Sequence, residues 1–248
     1  MLKEQIPHLV AWLQAKVRES HTKGLVVGLS GGIDSAVAAA LMKKAFPEHS
    51  LGIIIPIKSH SQDAADAKLV AEQLGLTHYE VDLSEEHDSI LATSVNQLNN
   101  FAAVDSNLRM ADANLRARLR MTAVYTAANL LNYLVVGTDN KAEYYTGYFT
   151  KYGDGACDIL PLADFTKHEI KELAKYLEIP EQIINKPPSA GLWEGQVDED
   201  ELGTTYYYID AYLNGEQIPA SEQEIIEKLH TRTEHKRNTP PIYKKTAI

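Results

Sequence analysis

One segment of this sequence has the composition of a phosphate-binding loop: Gly28-Leu29-Ser30-Gly31-Gly32-Ile33-Asp34-Ser35. Consecutive glycines lack the Cβ atoms that would keep an anion away from the backbone, so successive N–H groups can face a phosphate. Ser30 and Ser35 add hydroxyl donors, and Asp34 offers a carboxylate to a magnesium ion on the phosphates. The spacing matches neither GxxxxGK[ST] nor GxGxxG. It predicts a phosphate-binding turn, the alternative being an ordinary turn before a capped helix.

The elements around this loop place it at the end of a strand. An apolar run at 25–29 predicts a buried strand, and 34–46 predicts a helix that ends at Pro47. The same alternation continues along the chain, with strands predicted at 51–57, 78–83 and 133–138 and helices at 63–75 and 84–98. Strands that alternate with helices at this spacing pair in parallel through right-handed crossovers. The fold class is therefore predicted as α/β, a doubly wound parallel sheet with helices on both faces.

The composition disfavours several classes of protein. The 248 residues include 24 Lys and Arg and 34 Asp and Glu, so the net charge is −10 and a nucleic-acid partner is disfavoured. The single cysteine, Cys157, excludes a disulfide framework and a cysteine-based zinc cluster. No apolar run reaches the ~18 residues of a membrane span, and the N-terminus lacks a signal-peptide pattern. We expect a cytoplasmic protein with no nucleic-acid and no membrane partner.

The chain is predicted to form a single domain over residues 1–248, because no repeat or low-complexity linker divides it. Its predicted parts are an N-terminal helix (1–22), an α/β core (about 24–180), a mobile loop (about 190–205), and a C-terminal helix with a basic tail (206–248). Within 231–248, five Lys and Arg residues stand against one acid, a net charge of +4. That tail is either a solvated end or a segment that folds over a phosphate-rich substrate.

The segment 114–132 has apolar residues on two faces of one helix. One stripe comprises Leu115, Leu119, Ala123, Thr126 and Leu130, while Val124, Ala128 and Leu131 lie nearly opposite. A helix that is apolar on two faces needs cover on both. It is either a central helix between the sheet and its neighbours, or a helix that meets its own copy in a homodimer.

Six segments in the same chain and order carry a family resemblance. SGGIDS (30–35) resembles the pyrophosphate loop of the ATP pyrophosphatase (N-type PP-loop) superfamily, whose fold is Rossmann-like and related to the adenine nucleotide alpha-hydrolases. The others are NLRAR (114–118), GTDNKAE (137–143), FTKYGDGACDILPL (149–162), PPSAGLWEGQVDEDELG (187–203) and HKRNTPP (235–241). Together they closely resemble the ammonia-dependent NAD synthetase family across roughly residues 24 to 242.

The resemblance implies a ligase reaction with ATP as co-substrate and Mg²⁺ as cofactor. In this family the carboxylate of nicotinic acid adenine dinucleotide (deamido-NAD) attacks the α-phosphorus of ATP and pyrophosphate leaves. Ammonia then displaces AMP from the adenylated carboxylate to give NAD. Such a reactive intermediate has to be kept from water.

The resemblance also implies roles for individual residues. Asp34 and Lys167 match catalytic positions, and Asp34 and Glu143 match the magnesium ligands. Positions that contact ATP are Gly28, Leu29, Ser30, Gly31, Gly32, Ile33, Asp34, Ser35, Thr138, Lys167 and Ser189. Positions that contact deamido-NAD are Arg118, Lys151, Asp158, His235 and Lys236.

Each of these residues also has a plainer interpretation. Asp34 could cap the following helix, and Glu143 could be a solvated acid. Arg118, Lys151 and Lys167 could be surface cations, and His235 could satisfy local hydrogen bonds.

Two parts of the chain depart from the family pattern. Val197 stands where the GQxDE motif is expected to carry a hydroxyl, and the loop 58–61 is only loosely similar, which leaves the adenine and ribose contacts open. Cys157 is interpreted as a small strand residue.

The nitrogen donor is expected to be ammonia, since this sequence has no glutaminase domain with a nucleophilic cysteine. The rival readings are another adenylating enzyme, such as a tRNA-modifying synthetase or a GMP synthetase core, and a non-catalytic nucleotide sensor. The net charge of −10 opposes a tRNA partner. A sensor would be expected to have lost its carboxylates and lysines, yet Asp34, Glu143, Lys151 and Lys167 are present.

Overall fold

A computed structural model describes residues 2–101, 105–188 and 197–245 of the chain. Its strands are β1 Gly24–Gly28, β2 Ser50–Ile54, β3 Thr77–Glu80 and β4 Tyr133–Val135. They form one parallel sheet in the order β3-β2-β1-β4, in which Val26 of β1 lies beside Leu51 of β2 and Val135 of β4. The helices are α1 Leu2–Glu19, α2 Ile33–Ala45, α3 Ser61–Gln73, α4 Ser84–Leu98, α5 Leu108–Leu131, α6 Lys141–Thr146, α7 Lys167–Tyr176, α8 Glu181–Ile184, α9 Asp198–Leu202, α10 Tyr206–Leu213, α11 Ala220–Arg232 and α12 Glu234–Arg237.

The sheet is covered on both faces, which confirms the predicted fold class. Successive residues of a strand point to opposite faces. Leu25 and Val27 accordingly belong to a core shared with α1, α2, α3 and α7, whereas Val26 belongs to a second core with β2 and α5. Strands β1 and β2 are buried on both sides, so their sequences are mainly apolar runs, whereas the edge strand β3 is largely exposed.

Three strands end three residues earlier than predicted: β2 at Ile54, β3 at Glu80 and β4 at Val135. The run 51–57 was expected to be one strand, yet β2 ends at Ile54. Pro56 has no backbone N–H to donate to a neighbouring strand, so regular pairing stops just before it. Ile55 and Ile57 remain buried in the core beneath α5, which explains why the apolar pattern continues past the strand.

Helix α5 begins six residues earlier than predicted and packs against the sheet along one face only. Ala113, Ala117, Val124 and Ala128 form the buried stripe, and the helix contacts β1 and β4. On the opposite face Leu130 is 81% exposed. In the described chain, therefore, α5 is not covered on both faces.

The C-terminal third adds a small apolar cluster beside the sheet. Its buried members are Ala142, Leu202, Tyr206, Ile209 and Ile226, contributed by α6, α9, α10 and α11. The segment 206–237 thus forms three helices where one was expected. Of the loop predicted over 190–205, residues 198–202 form α9, while 190–196 lie outside the described residues. The mobility of this loop and the single-domain organisation remain predictions.

None of the helices in the described ranges is long and apolar enough to cross a membrane.

Candidate active site

A cavity of about 720 Å³ opens at the carboxyl edge of the sheet. Ligands bind at this edge in open α/β sheets, because the loops that leave parallel strands gather there. The loop after β1 forms one wall, and residues 137–139 after β4 form another. The segment 146–154 and Lys236 of α12 close the far end. The volume lies within the range of small-molecule sites, roughly 300–1,000 Å³.

The phosphate-binding loop is held by its own hydroxyls. The Ser30 and Ser35 oxygens lie 3.1 Å apart, and Ser35 Oγ donates to the Gly32 carbonyl at 3.0 Å. The Gly32 amide donates to Ser30 Oγ at 3.2 Å. These bonds fix the turn between β1 and α2 before any ligand binds.

The N-terminus of α2 has no side-chain cap, which leaves backbone donors for an anion. Gly32 occupies the N-cap position and no side chain bonds to the first amides of the helix. The helix dipole adds positive potential at the same point. Gly31 has φ +77°, and a Cβ there would lie 2.4 Å from the Asp63 carbonyl oxygen, so only glycine fits this turn.

Three charged side chains from distant parts of the chain meet beside this loop. Lys167 Nζ lies 2.5 Å from Asp34 Oδ2 and 3.5 Å from Glu143 Oε1. Asp34 is in the first turn of α2, Glu143 is in α6, and Lys167 begins α7. Burial lowers the pKa of Lys167, but Asp34 and Glu143 outweigh it and the net pKa is raised. The lysine is therefore charged throughout the physiological pH range.

Lys167 occupies a position that helix electrostatics disfavour. A cation in the first turn of a helix faces the positive end of the dipole. Asp210 of α10 offsets this, because its carboxylate accepts hydrogen bonds from the Lys167 amide at 3.2 Å and the His168 amide at 3.1 Å. Thr166 and Glu169 form a capping box at the same end. Additional contacts thus stabilise Lys167 where the helix dipole opposes its charge, which is typical of a functional site.

Asn140 and Tyr206 orient the two carboxylates. The Asn140 side chain donates to Asp34 Oδ1 at 2.9 Å and accepts from the Glu143 amide at 3.1 Å. The Tyr206 hydroxyl donates to Glu143 Oε1 at 3.1 Å. Burial, and next the charge of Asp34, raise the pKa of Glu143. A cation on these oxygens would relieve that penalty.

The arrangement fits a magnesium ion that is shared with phosphate. Magnesium in nucleotide sites takes one or two protein carboxylates and completes its shell with phosphate oxygens and water. Asp34 and Glu143 converge on one point, as their common contact with Lys167 demonstrates. Within the described ranges no group of three or more His, Cys, Asp or Glu residues forms a self-sufficient metal site. The two carboxylates therefore fit a substrate-bound ion.

Most residues predicted to contact ATP line the cavity. They are Gly28, Leu29, Ser30, Gly32, Ile33, Asp34, Ser35, Thr138 and Lys167. Gly31 turns instead toward α3, where it packs against Asp63 and Asp66. Ser189 lies outside the described residues.

The residues predicted to contact deamido-NAD divide into three places. Lys236 lines the cavity and donates to the carbonyls of Gly147 at 2.8 Å and Phe149 at 2.5 Å. Arg118, Lys151 and His235 adjoin one another, because Arg118 donates to the Lys151 carbonyl at 3.4 Å and Lys151 Nζ donates to the His235 carbonyl.

Asp158 occupies the third place. It accepts hydrogen bonds from the Val135 amide at 2.7 Å and the Tyr125 hydroxyl at 3.1 Å. The described chain thus uses its carboxylate to join β4 to α5.

Sequence reasoning missed a lysine that anchors the phosphate-binding loop. Lys186 Nζ lies 2.6 Å from Asp66 Oδ2 and 2.8 Å from Asp63 Oδ1, and it donates to the Gly31 carbonyl at 3.3 Å. In the sequence, Lys186 is visible only as a single lysine before the PPSAG segment. The two acids sit in α3, which was predicted as a helix without a role for either acid. Three elements distant in sequence thus fix the turn.

The structure shows the surroundings of Cys157, Val197 and the loop 58–61. Cys157 lies against Gly137, where a Cβ would come 2.6 Å from its sulfur, and burial raises the pKa of its thiol to about 12. Val197 is partly exposed just before α9. In the loop 58–61, Ser59 Oγ accepts a hydrogen bond from Arg120 at 2.9 Å, and both residues line the cavity.

The parallel sheet and the phosphate-binding loop at its carboxyl edge together define an α/β protein of the PP-loop class. Residues 5–246 match the family model for NAD synthase. The chain is 54% identical over 241 residues to the NH(3)-dependent NAD(+) synthetase of Alkaliphilus oremlandii, covering 97% of this chain and 96% of that protein. The chain therefore belongs to the NAD synthase family, which confirms the resemblance seen in its motifs.

Solved structures agree with this membership. The NMN synthetase of Francisella tularensis has a TM-score of 0.91 and 42% identity, covering 98% of both chains. The NH3-dependent NAD synthetase of Campylobacter jejuni, solved with a nitrate ion, has a TM-score of 0.76 and 31% identity, covering 98% of this chain and 99% of that one.

Proposed function

We propose that this chain amidates deamido-NAD to NAD with ammonia and ATP, through an adenylated carboxylate, and releases AMP and pyrophosphate. The observation that carries the proposal is the convergence of Lys167, Asp34 and Glu143 on the phosphate-binding loop of an NAD synthase family member. Adenylation concentrates negative charge on the phosphates. A fixed cation beside the loop stabilises that charge.

The phosphate-binding loop, Lys167 and Lys186 would have separate roles in binding ATP. Amides of the loop and of the α2 N-terminus would bind the phosphates that leave as pyrophosphate. Lys167 is charged and carboxylate-bound before ATP arrives, so it would transfer part of its hydrogen bonding to phosphate oxygens. Lys186 would keep the turn in place from behind, through the Gly31 carbonyl.

Asp34 and Glu143 would hold the magnesium ion, and Asn140 and Tyr206 would orient them. The ion would neutralise charge on the phosphates. Both carboxylates are already fixed by hydrogen bonds, so little rearrangement would be needed when the ion binds.

Deamido-NAD would enter from the end of the cavity that Lys236 closes. Lys236 is the cationic residue of the predicted set that lines this end. Arg118, Lys151 and His235 form a polar edge that would extend the binding surface, and Asp158 would act there through the strand it fixes. The basic C-terminal tail supports this placement, because Arg237 donates to the Tyr145 carbonyl at 2.9 Å and binds α12 to the site.

The active form is proposed to be a homodimer that buries the open face of α5. Leu130 lies on this face as an exposed apolar residue. A second copy of the same helix would supply the cover that the described chain lacks.

One measurement tests the proposed reaction directly. The purified protein is incubated with ATP, magnesium and ammonium, with and without deamido-NAD, and AMP, pyrophosphate and NAD are quantified. Equal amounts of the three products, formed only when deamido-NAD is present, are expected. Glutamine in place of ammonium serves as the control donor and should give no NAD. Deamido-NAD-independent AMP formation would contradict the proposal.

A second candidate substrate is the corresponding mononucleotide. The NMN synthetase structure matches this chain at a higher TM-score than the Campylobacter NAD synthetase does, 0.91 against 0.76. Both substrates present the same nicotinate carboxylate to the adenylation site. The ratio of kcat/KM for nicotinic acid mononucleotide and deamido-NAD decides between them.

A further inference from the structure

One buried carboxylate in the cavity has no role in the reaction derived above. Asp139 follows β4 and lines the cavity, and it is 6% exposed. Within the described ranges, its carboxylate makes no hydrogen bond and no ion pair. Its neighbours differ in this respect, because Asp34 binds Lys167 and Asn140, and Asp154 accepts from the Thr150 amide at 3.0 Å. A buried carboxylate without a partner is costly unless something binds it.

Asp139 lies between the two halves of the site. The charges that act on it come from Glu143 and Asp34 on the phosphate side and from Asp154 and Lys236 on the other. Burial and the three acids raise its pKa, and Lys236 opposes them. The surroundings are therefore negative, which favours a small cation at this point.

We propose that Asp139 binds the ammonium ion whose nitrogen becomes the amide: the ion gives one proton to the Asp139 carboxylate, and the resulting ammonia displaces AMP from the adenylated carboxyl carbon, a second proton being lost to solvent. The inference rests on the proposed function and names the subsite for its third substrate. Ammonium is a monocation with several N–H donors, and an ionised carboxylate is an acceptor with no donor of its own. Under the proposed function, phosphates at the loop and deamido-NAD at the Lys236 end would place the adenylated carboxyl carbon between them, near Asp139.

A metal ion fits this place less well than ammonium. Magnesium and calcium need about six or more oxygen ligands, several of them supplied by carboxylates or phosphates. Asp34 and Glu143 would already hold the magnesium ion on the phosphates, so a second metal ion beside Asp139 could not draw on them. In the part of the chain that the structure describes, Asp139 is not a member of any group of three metal-ligating side chains.

The test uses Asp139→Asn, which keeps the size of the side chain and removes its charge. The KM for ammonium is expected to rise roughly tenfold or more, the loss typical of a hydrogen bond to a charged group. The deamido-NAD-dependent exchange of pyrophosphate with ATP is expected to stay within about twofold, because it needs no ammonium. Asp164→Asn is the control, since Asp164 is exposed and outside the cavity.

A neutral nucleophile distinguishes a loss of ammonium binding from a general loss of activity in Asp139→Asn. Hydroxylamine is largely neutral at pH 8, so Asp139→Asn should use it almost as well as the unaltered protein does. An unchanged KM for ammonium, or equal losses with both nucleophiles, would overturn the proposal. Loss of pyrophosphate exchange in Asp139→Asn alone would also overturn it and would place Asp139 in the ATP site. Absence of exchange in the unaltered protein would instead contradict the proposed function.

A measurement on the unaltered protein covers the case in which Asp139→Asn does not fold. Ammonium chloride should raise the melting temperature above that in tetramethylammonium chloride at the same ionic strength, because the larger ion lacks N–H donors. Equal melting temperatures in the two salts would overturn the ammonium site.

Discussion

The Tyr206 hydroxyl donates a hydrogen bond to Glu143 Oε1 at 3.1 Å, and the Tyr206 ring lies 4.9 Å from Lys167 Nζ. One aromatic residue of α10 therefore contacts both the proposed metal ligand and the proposed catalytic cation. The hydroxyl also donates to Asp198 at 3.2 Å, which joins α9 to the same network. The C-terminal helices thus complete a site whose loop and carboxylates lie in the segments that follow β1 and β4.

Tyr206→Phe should weaken the site without unfolding the protein. The ring stays in the apolar cluster, while Glu143 loses a donor that orients its carboxylate. Loss of a residue that positions a metal ligand typically costs roughly 10–100-fold in metal affinity or activity. The magnesium concentration for half-maximal activity should rise about tenfold, measured by NAD formation. Tyr207→Phe is the matched control, because Tyr207 is 73% exposed. Equal magnesium dependence in the two variants would contradict the role of Tyr206.

Lys167→Met should make the folded state depend on magnesium. Without the lysine, Asp34 and Glu143 keep two buried negative charges with no cation between them, at a cost of about 3–5 kcal/mol. Magnesium binding to these carboxylates should restore part of that loss. Melting curves with and without magnesium are therefore expected to differ more for Lys167→Met than for the unaltered protein.

The control for this experiment is Lys175→Met, which removes an exposed ion pair with Glu172. Such a pair contributes only about 0–1 kcal/mol. If magnesium shifts all three proteins equally, Asp34 and Glu143 do not form the proposed metal site.

Gly31→Ala should damage both stability and activity, and Gly75→Ala should affect stability alone. Both glycines have positive φ, +77° and +57°, which costs an alanine about 1–2 kcal/mol. A Cβ at Gly31 would also collide with the Asp63 carbonyl oxygen, whereas a Cβ at Gly75 meets nothing within 4 Å. Denaturant unfolding and the KM for ATP are the two measurements. A normal KM for ATP in Gly31→Ala would show that ATP binding does not depend on the exact position of this turn.

Cys157 should remain unreactive well above neutral pH. Its pKa is raised to about 12, first by burial and next by the charge of Asp139, so the thiol stays protonated below that value. Only the thiolate reacts with iodoacetamide, and an ordinary cysteine has a pKa near ~8.5. Alkylation at pH 8 should be roughly a thousandfold slower in the folded protein than in urea. Comparable rates would indicate an accessible, activated thiol.

Sedimentation equilibrium should give twice the 27.5 kDa chain mass at micromolar concentration. Leu130→Glu should shift the protein toward the monomer, because a charge would then be buried in the proposed interface. Tyr243→Ser is the control, since Tyr243 is equally exposed but lies on the C-terminal tail. A monomer in the unaltered protein would refute the dimer.

The fold class and the place of the phosphate-binding loop could both be predicted from the amino-acid sequence. Apolar runs and amphipathic segments are local patterns. A short run of apolar, β-branched residues predicts a buried parallel strand, and apolar residues three to four positions apart predict a helix. The glycines and hydroxyls of 28–35 form their turn from contacts within five residues, such as that between Ser30 and Ser35. Contacts of this kind join residues that are close in the sequence, so they can be predicted without a structure.

Which distant side chains share the site depends on the packing of the folded chain. Lys167 reaches Asp34 across 133 positions of sequence, and Lys186 reaches the Gly31 carbonyl across 155. The isolated strand and helix patterns do not specify these pairings, because they depend on how α7, and the segment after α8, pack on the sheet edge. Asp139 was visible in the GTDNKAE segment, but its burial without a partner appears only once the cavity around it is closed.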